Sequence, residues 1–153
     1  MTKLSRTDGL KALGLGVVIA LILSAVGMAA RQAGLTPLPA PVALAFAETL
    51  AGAQSLPPAV GILFHTVWVT VMTAGFVAAS REALTFPRAL GFGLALWLVA
   101  LVVFFPIIGW GVAGLAVGPQ LIVGALVPHL IYAALLWAGA RLVFGRGFRH
   151  QPA

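Results

Sequence analysis

The chain contains no cysteine, which removes disulfide frameworks, thiolate metal sites and cysteine nucleophiles together. Carboxylates are nearly as scarce: Asp8, Glu48 and Glu82 are the only three in 153 residues. None falls inside a long apolar run, so no paired acids stand ready for acid–base work. No nucleophile has a base beside it, and no glycine-rich phosphate loop follows a strand. Enzymatic activity is therefore not expected, a redox-subunit role apart. Nine Lys and Arg give a net charge of +6. They cluster at the ends of apolar segments and form no basic face with readout residues, which excludes a nucleic-acid partner.

What is present is apolar. The sequence is 61% hydrophobic and 8% charged, against about 45–50% and 25% in soluble domains. With a mean hydropathy of +1.10, its partner is the lipid bilayer. A transmembrane helix needs about 20 apolar residues. Lys11 and Arg31 bound one such run, and Pro58 to Ser80 forms a second. Ala89 to Ala140 is uncharged over 52 residues, enough for two helices separated by the Pro106 and Gly109–Gly114 punctuation. The expected fold is a single all-α membrane domain over 1–153, with four transmembrane helices at roughly 11–31, 58–80, 89–108 and 119–143 and an outer loop at 34–57. That loop opens with Pro37, Pro39 and Pro41, and then Val42 to Ala53 is expected as a short helix at the membrane surface, read as an ordinary connector rather than a lid.

Orientation follows from the basic residues. Lys3, Arg6, Lys11, Arg81, Arg88, Arg141, Arg146 and Arg149 fall on one side of this topology, and Arg31 alone on the other. The expectation is a multi-pass protein of the bacterial inner membrane with both termini cytoplasmic. A cleaved signal peptide ending near Gly27-Met28-Ala29 is the competing reading of the first run, whose apolar core exceeds the usual 7–15 residues.

Two ordered matches point to duplication. Lys11-Ala12-Leu13-Gly14-Leu15-Gly16 recurs as Arg88-Ala89-Leu90-Gly91-Phe92-Gly93, offset by 77. His65-Thr66-Val67-Trp68 recurs as His129-Leu130-Ile131-Tyr132, offset by 64, each followed at the same distance by Ala-Gly. The halves read as two tandem helical hairpins related by a pseudo-two-fold along the membrane normal. Small-residue seams expected to pack the bundle are Ala12, Gly16, Ala20 and Ser24; Ala89 with Gly93, or Gly91 with Ala95; Gly75 with Ala79; and Ala134 with Ala138. Thr66, Thr70 and Thr73 share a face and are expected to bond carbonyls one turn back. Trp97, Trp110 and Trp137 suit interfacial anchoring.

The chemistry concentrates on His65 and His129, the only ionisable side chains in their apolar runs. A histidine inside a span is a functional hypothesis by default. At 1.5 Å rise per residue both lie about 10–16 Å below the outer boundary. Pro128, just before His129, cannot donate to the Gly124 carbonyl and should kink the helix. Tyr132, Trp68, Gly61 and Gly124 are expected nearby, the glycines one turn outward with room for a porphyrin. Three readings stay open. The favoured one is packing, with the imidazoles bonding each other, Tyr132 or a carbonyl in a structural or accessory membrane subunit. The second is a bis-His b-type haem or metal-binding protein. The third is a small transporter or proton-handling protein, which would work as a homo-oligomer; an accessory subunit would instead sit in a larger membrane complex.

The segment from Pro87 to Gly145, with Ala89-Leu90-Gly91, Phe105-Pro106 and His129-Leu130-Ile131-Tyr132, resembles the YagU-like group of small bacterial four-helix inner-membrane proteins. The resemblance implies an inner-membrane location and carries no activity.

Overall fold

A computed structural model describes residues 5–80 and 84–145. It is all-helical, with no strand among the described residues. Ser5 starts the first helix: its Oγ accepts the Asp8 N–H at 3.0 Å and donates to the Asp8 carboxylate at 2.7 Å, a reciprocal cap. That cap begins α1 (Arg6–Gln32) five residues ahead of the expected span, on the polar leader rather than on the apolar run. Helix α2 (Val42–Ala51) follows the proline-rich stretch and stops at Gly52, whose φ of 61° lies in the left-handed region.

Helix α3 (Pro58–Ala79) has Pro58 in its first turn, where a missing N–H costs nothing. Helix α4 (Phe86–Ile107) widens into a π-helical turn at Ala100–Phe104, where the Phe105 N–H reaches the Ala100 carbonyl. Pro106 has no N–H with which to continue the α register, and the π turn just ahead of it absorbs the mismatch. Through a compact connection in which Trp110 packs on Phe105 at 5.2 Å, the chain enters α5 (Gln120–Phe144). Four of these helices, α1, α3, α4 and α5, are long and apolar enough to cross a membrane, the make-up of a multi-pass membrane protein.

The helices pack as two antiparallel pairs, α1 with α3 and α4 with α5, joined by α1 against α5. Glycine sets how closely each pair approaches. A Cβ on Gly16 would lie 2.6 Å from the Thr70 Cα of α3, and one on Gly93 would lie 2.9 Å from the His129 carbonyl oxygen of α5. Leu15 meets Gly139 between α1 and α5. Helices α3 and α4 meet through rings, with Phe76 on Phe92 at 5.2 Å and Trp68 on Phe104 at 5.1 Å. These contacts gather the start of α1, the end of α3, the start of α4 and the end of α5 at one face. Among the described residues that face holds Arg6, Lys11, Arg88 and Arg141. The opposite face, with α2 and Arg31, is called the loop face below.

The expected seams divide. Ala12, Gly16 and Ala20 are buried, as are Ala89 and Gly93. The second pairing on α4 is not used, since Gly91 and Ala95 are exposed. Gly75, Ala79, Ala134 and Ala138 are exposed too, because α3 and α5 turn larger residues, Phe76, Val77, Tyr132 and Leu136, toward the core. The tryptophans correct another expectation. Trp110 is buried, and Trp97 Nε1 donates to the Ile122 carbonyl at 3.0 Å, so both tie α4 and its connection to α5. Trp137 stays near the basic face, beneath the Arg141 guanidinium at 5.5 Å.

Candidate functional site

Near the basic face the four long helices close on a continuous apolar core running from Ala12 and Leu15 to Leu136 and Phe144. Toward the loop face they diverge, and a cavity of about 450 Å³ opens between them. His65, Trp68, Gly61, Gly124, His129 and Tyr132 all line this one cavity, so the residues singled out in sequence share a single space.

Each imidazole is held by a different partner. His65 Nδ1 lies 3.0 Å from the Ser24 Oγ of α1, a bond that ties α3 to α1. His129 Nδ1 lies 2.7 Å from the Ala125 carbonyl oxygen, four residues back on its own helix. A carbonyl only accepts, so Nδ1 of His129 carries the proton and its Nε2, in the neutral ring, presents a lone pair. Of the partners expected for the imidazoles, each other, Tyr132 or a carbonyl, His129 takes a carbonyl, and His65 takes the Ser24 hydroxyl, which was not among them. His129 takes the Ala125 carbonyl, not the Gly124 carbonyl that Pro128 deprives of its helical partner. On both rings the protein uses Nδ1, and neither Nε2 is a buried unpartnered atom. Both Nε2 atoms are therefore accessible, on rings that both line the cavity.

The outer connection forms the cavity's roof. Leu44 of α2 fills the clearance at Gly61, where a Cβ would lie 2.7 Å from the Leu44 Cβ. Pro37 fills the clearance at Gly124, where a Cβ would lie 2.3 Å from the Pro37 Cγ. The room expected there for a porphyrin is taken by protein. Phe46 of α2 packs on Phe64 at 5.2 Å and on Phe104 at 4.8 Å. Arg31 fastens the strap by donating to the carbonyls of Leu38, at 3.0 Å, and Pro39. A connector read from sequence as ordinary is a wall of the site.

The threonines behave individually. Thr66 Oγ1 returns to the Ile62 carbonyl at 2.8 Å, as expected. Thr73 Oγ1 instead meets the Tyr132 hydroxyl at 3.2 Å across α3 and α5, and Thr70 Oγ1 is buried without a partner. Thr70 is held against Gly16, where an added Cβ would lie 3.2 Å from the Thr70 Cβ.

Chemically, the site offers two imidazole nitrogens in an apolar chamber. No group of three or more His, Asp or Glu that could hold a metal ion occurs among the described residues. Imidazoles anchored through Nδ1 with Nε2 free have the orientation of metal and haem ligands. Against a haem stand the filled glycine clearances and the commitment of Arg31, the one cation at the loop face among the described residues, to two carbonyls. Ser24, which positions His65, was read in sequence only as the last member of a small-residue stripe. Its hydroxyl, at the depth of a histidine on the partner helix, was the available signal. Set against protein-family models, curated proteins and solved structures, the chain matches none.

Proposed function

We propose that the protein is a membrane-embedded binding protein that holds a small amphiphilic ligand in the cavity between its four spans, with His65 and His129 as the polar contacts. The observation that carries this reading is the pairing of both imidazoles on one 450 Å³ cavity with each ring's Nε2 free of protein partners. Cavities of a few hundred Å³ with few convergent polar groups are the usual form of small-molecule sites. Packing alone would account for the His65–Ser24 bond; it gives no role to His129, whose Nδ1 bond stays within one helix.

The same proposal places the chain in a bacterial inner membrane with both termini cytoplasmic, putting the cavity in the outer half of the bilayer. The basic face supports this orientation. The absence of native cysteine makes it directly testable by single-cysteine labelling at the termini and at residue 54. The two hairpins are further proposed as duplicates. Gly16 and Gly93, equivalent in the repeat, each lie where an added Cβ would come within 3 Å of the partner helix backbone.

The test of ligand binding is purification in a mild detergent followed by native mass spectrometry and a visible absorption spectrum. The expected result is a bound species released from the wild type and lost from His65→Phe and His129→Phe, with no haem absorption. A ligand retained unchanged by both variants overturns the reading. A haem spectrum reassigns the ligand to a porphyrin. The exposed Gly75–Ala79 and Ala134–Ala138 seams favour a second reading beside the first, lateral association as an accessory subunit or homo-oligomer, because small residues permit close helix approach in lipid.

A further inference from the structure

Resting on that reading, we infer that the cavity selects a neutral ring-headed amphiphile that donates hydrogen bonds, a quinol carrying an apolar tail, over the corresponding quinone. The selection follows from the polarity of the two nitrogens. His129 Nδ1 is committed as a donor to the Ala125 carbonyl at 2.7 Å, so the Nε2 of the neutral ring accepts and cannot donate. An imidazolium would reverse this, but a charged ring is costly inside the membrane. His65 differs. The Ser24 hydroxyl at 3.0 Å can donate to Nδ1 or accept from it, so the Nε2 of His65 serves as donor or acceptor according to the tautomer.

A quinol brings two hydroxyls and can satisfy both nitrogens. A quinone brings two acceptors, so it bonds His65 alone and confronts the His129 lone pair with an oxygen lone pair. Leaving one polar group unpaired in an apolar site is the larger penalty, because water is no longer there to replace the lost bond.

The walls fit the rest of such a molecule. Trp68, Phe104 and Tyr132 line the cavity with the imidazoles and supply aromatic surface. Val26 and Met28 of α1 and Val127 of α5 line the same cavity and are exposed. A tail leaving the chamber between α1 and α5 would pass along these apolar side chains. A tail can remain in lipid while the head sits between the histidines. With Arg31 bound to two carbonyls, nothing on the loop face among the described residues favours a phosphate or carboxylate head. No electron transfer is invoked: the inference concerns which redox form binds.

The experiment measures binding to the full chain in lipid nanodiscs by quenching of tryptophan fluorescence and, independently, by thermal shift. The probes are a decyl-tailed benzoquinol kept reduced under nitrogen, its benzoquinone, and decanol. The expected result is a quinol dissociation constant about ten-fold or more below that of the quinone, with decanol weaker than the quinol. In His129→Gln the amide can turn either its N–H or its carbonyl to the ligand, so the quinol-to-quinone ratio should fall to within about three-fold of unity. A change in packing alone would weaken both probes alike. Quinone binding as tightly as quinol in the wild type overturns the inference and leaves the cavity reading standing. Decanol equalling the quinol overturns the two-hydroxyl assignment in the same way. Failure of all three probes to bind or stabilise the protein removes the cavity reading as well. If His129→Gln does not fold, the wild-type ratio decides alone.

Discussion

Gly16→Ala tests how the site is assembled, because one methyl group there reaches a histidine two turns away. An alanine Cβ at this position would stand 2.6 Å from the Thr70 Cα and 3.2 Å from the Thr70 carbonyl oxygen. Ordinary contacts of this kind begin near 3.4 Å, so α3 has to retreat by about 1 Å or bend. The near atoms are backbone, and no rotamer change relieves them. A gap of that size forfeits about a quarter to a half of each dispersion contact along the interface, and overpacking of this kind costs about 1–3 kcal/mol. In lipid the loss has no hydrophobic compensation, since packing is what holds the helices together.

Gly14→Ala is the matched control. Its Cβ meets nothing within 4 Å, and alanine is the better helix former. Resistance to unfolding in mixed micelles should fall for Gly16→Ala by about 1–3 kcal/mol and stay level or rise for Gly14→Ala. Gly16 and Ser24 lie two turns apart on one stripe of α1. Displacing α3 therefore also stretches the 3.0 Å Ser24–His65 bond, and ligand affinity should weaken along with stability. Equal stability of the two variants would refute the account of α1 and α3 as a glycine-gated contact. Reduced stability with unchanged affinity would refute the mechanical link to His65.

Three further outcomes follow from single contacts. Thr70→Val replaces a buried hydroxyl that has no partner with a methyl of similar size, and should stabilise the protein by about 1 kcal/mol in the same assay; destabilisation would mean the hydroxyl is satisfied. A double-mutant cycle over Thr73→Val and Tyr132→Phe should return a coupling near 0.6 kcal/mol for their 3.2 Å bond, and additivity would show that the two hydroxyls do not meet. Arg31→Gln removes the clasp on the Leu38 and Pro39 carbonyls, so hydrogen exchange should rise at Thr36, Leu38 and Ala40 while the core of α5 stays protected; no change there would show that the strap is held by Pro37 and Leu44 alone.

The spans were legible because lipid leaves the chain few choices. An uncharged run of about 20 residues can satisfy its backbone only as a helix, and the positions of Lys11, Arg31, Arg88 and Arg141 mark where those runs stop. Which face of each helix turns inward was harder. In water, hydrophobic periodicity would reveal it, but a helix apolar on every side has no such signal. The small residues were the remaining clue, and they led correctly on α1, where Gly16 meets Thr70, and on α4, where Gly93 meets His129. They misled on α3 and α5, because Gly75 and Ala134 lie on surfaces that the bundle itself does not cover. The π turn at Ala100–Phe104 was invisible for a related reason. Pro106 announces a break but not how the backbone will absorb it.

The site shows the same division between what a residue is and what it faces. A histidine in a span is conspicuous in any sequence, and His65 and His129 do line one cavity together with all four residues expected near them. Their partners were not conspicuous. Ser24 reads as a small packing residue until a ring stands 3.0 Å away, and the Ala125 carbonyl is one of many identical groups. Yet these partners fix what the site can bind. The Ala125 carbonyl makes Nε2 of His129 an acceptor, and the two-way Ser24 hydroxyl leaves His65 free to adapt. One fixed and one adaptable nitrogen discriminate between ligands, whereas two adaptable ones would take either redox form. Ser24→Ala separates the two roles: without the hydroxyl, His65 loses its orientation and affinity for both probes should drop several-fold, while the preference for quinol, which resides in His129, persists. Loss of that preference in Ser24→Ala would move the selectivity from His129 to His65.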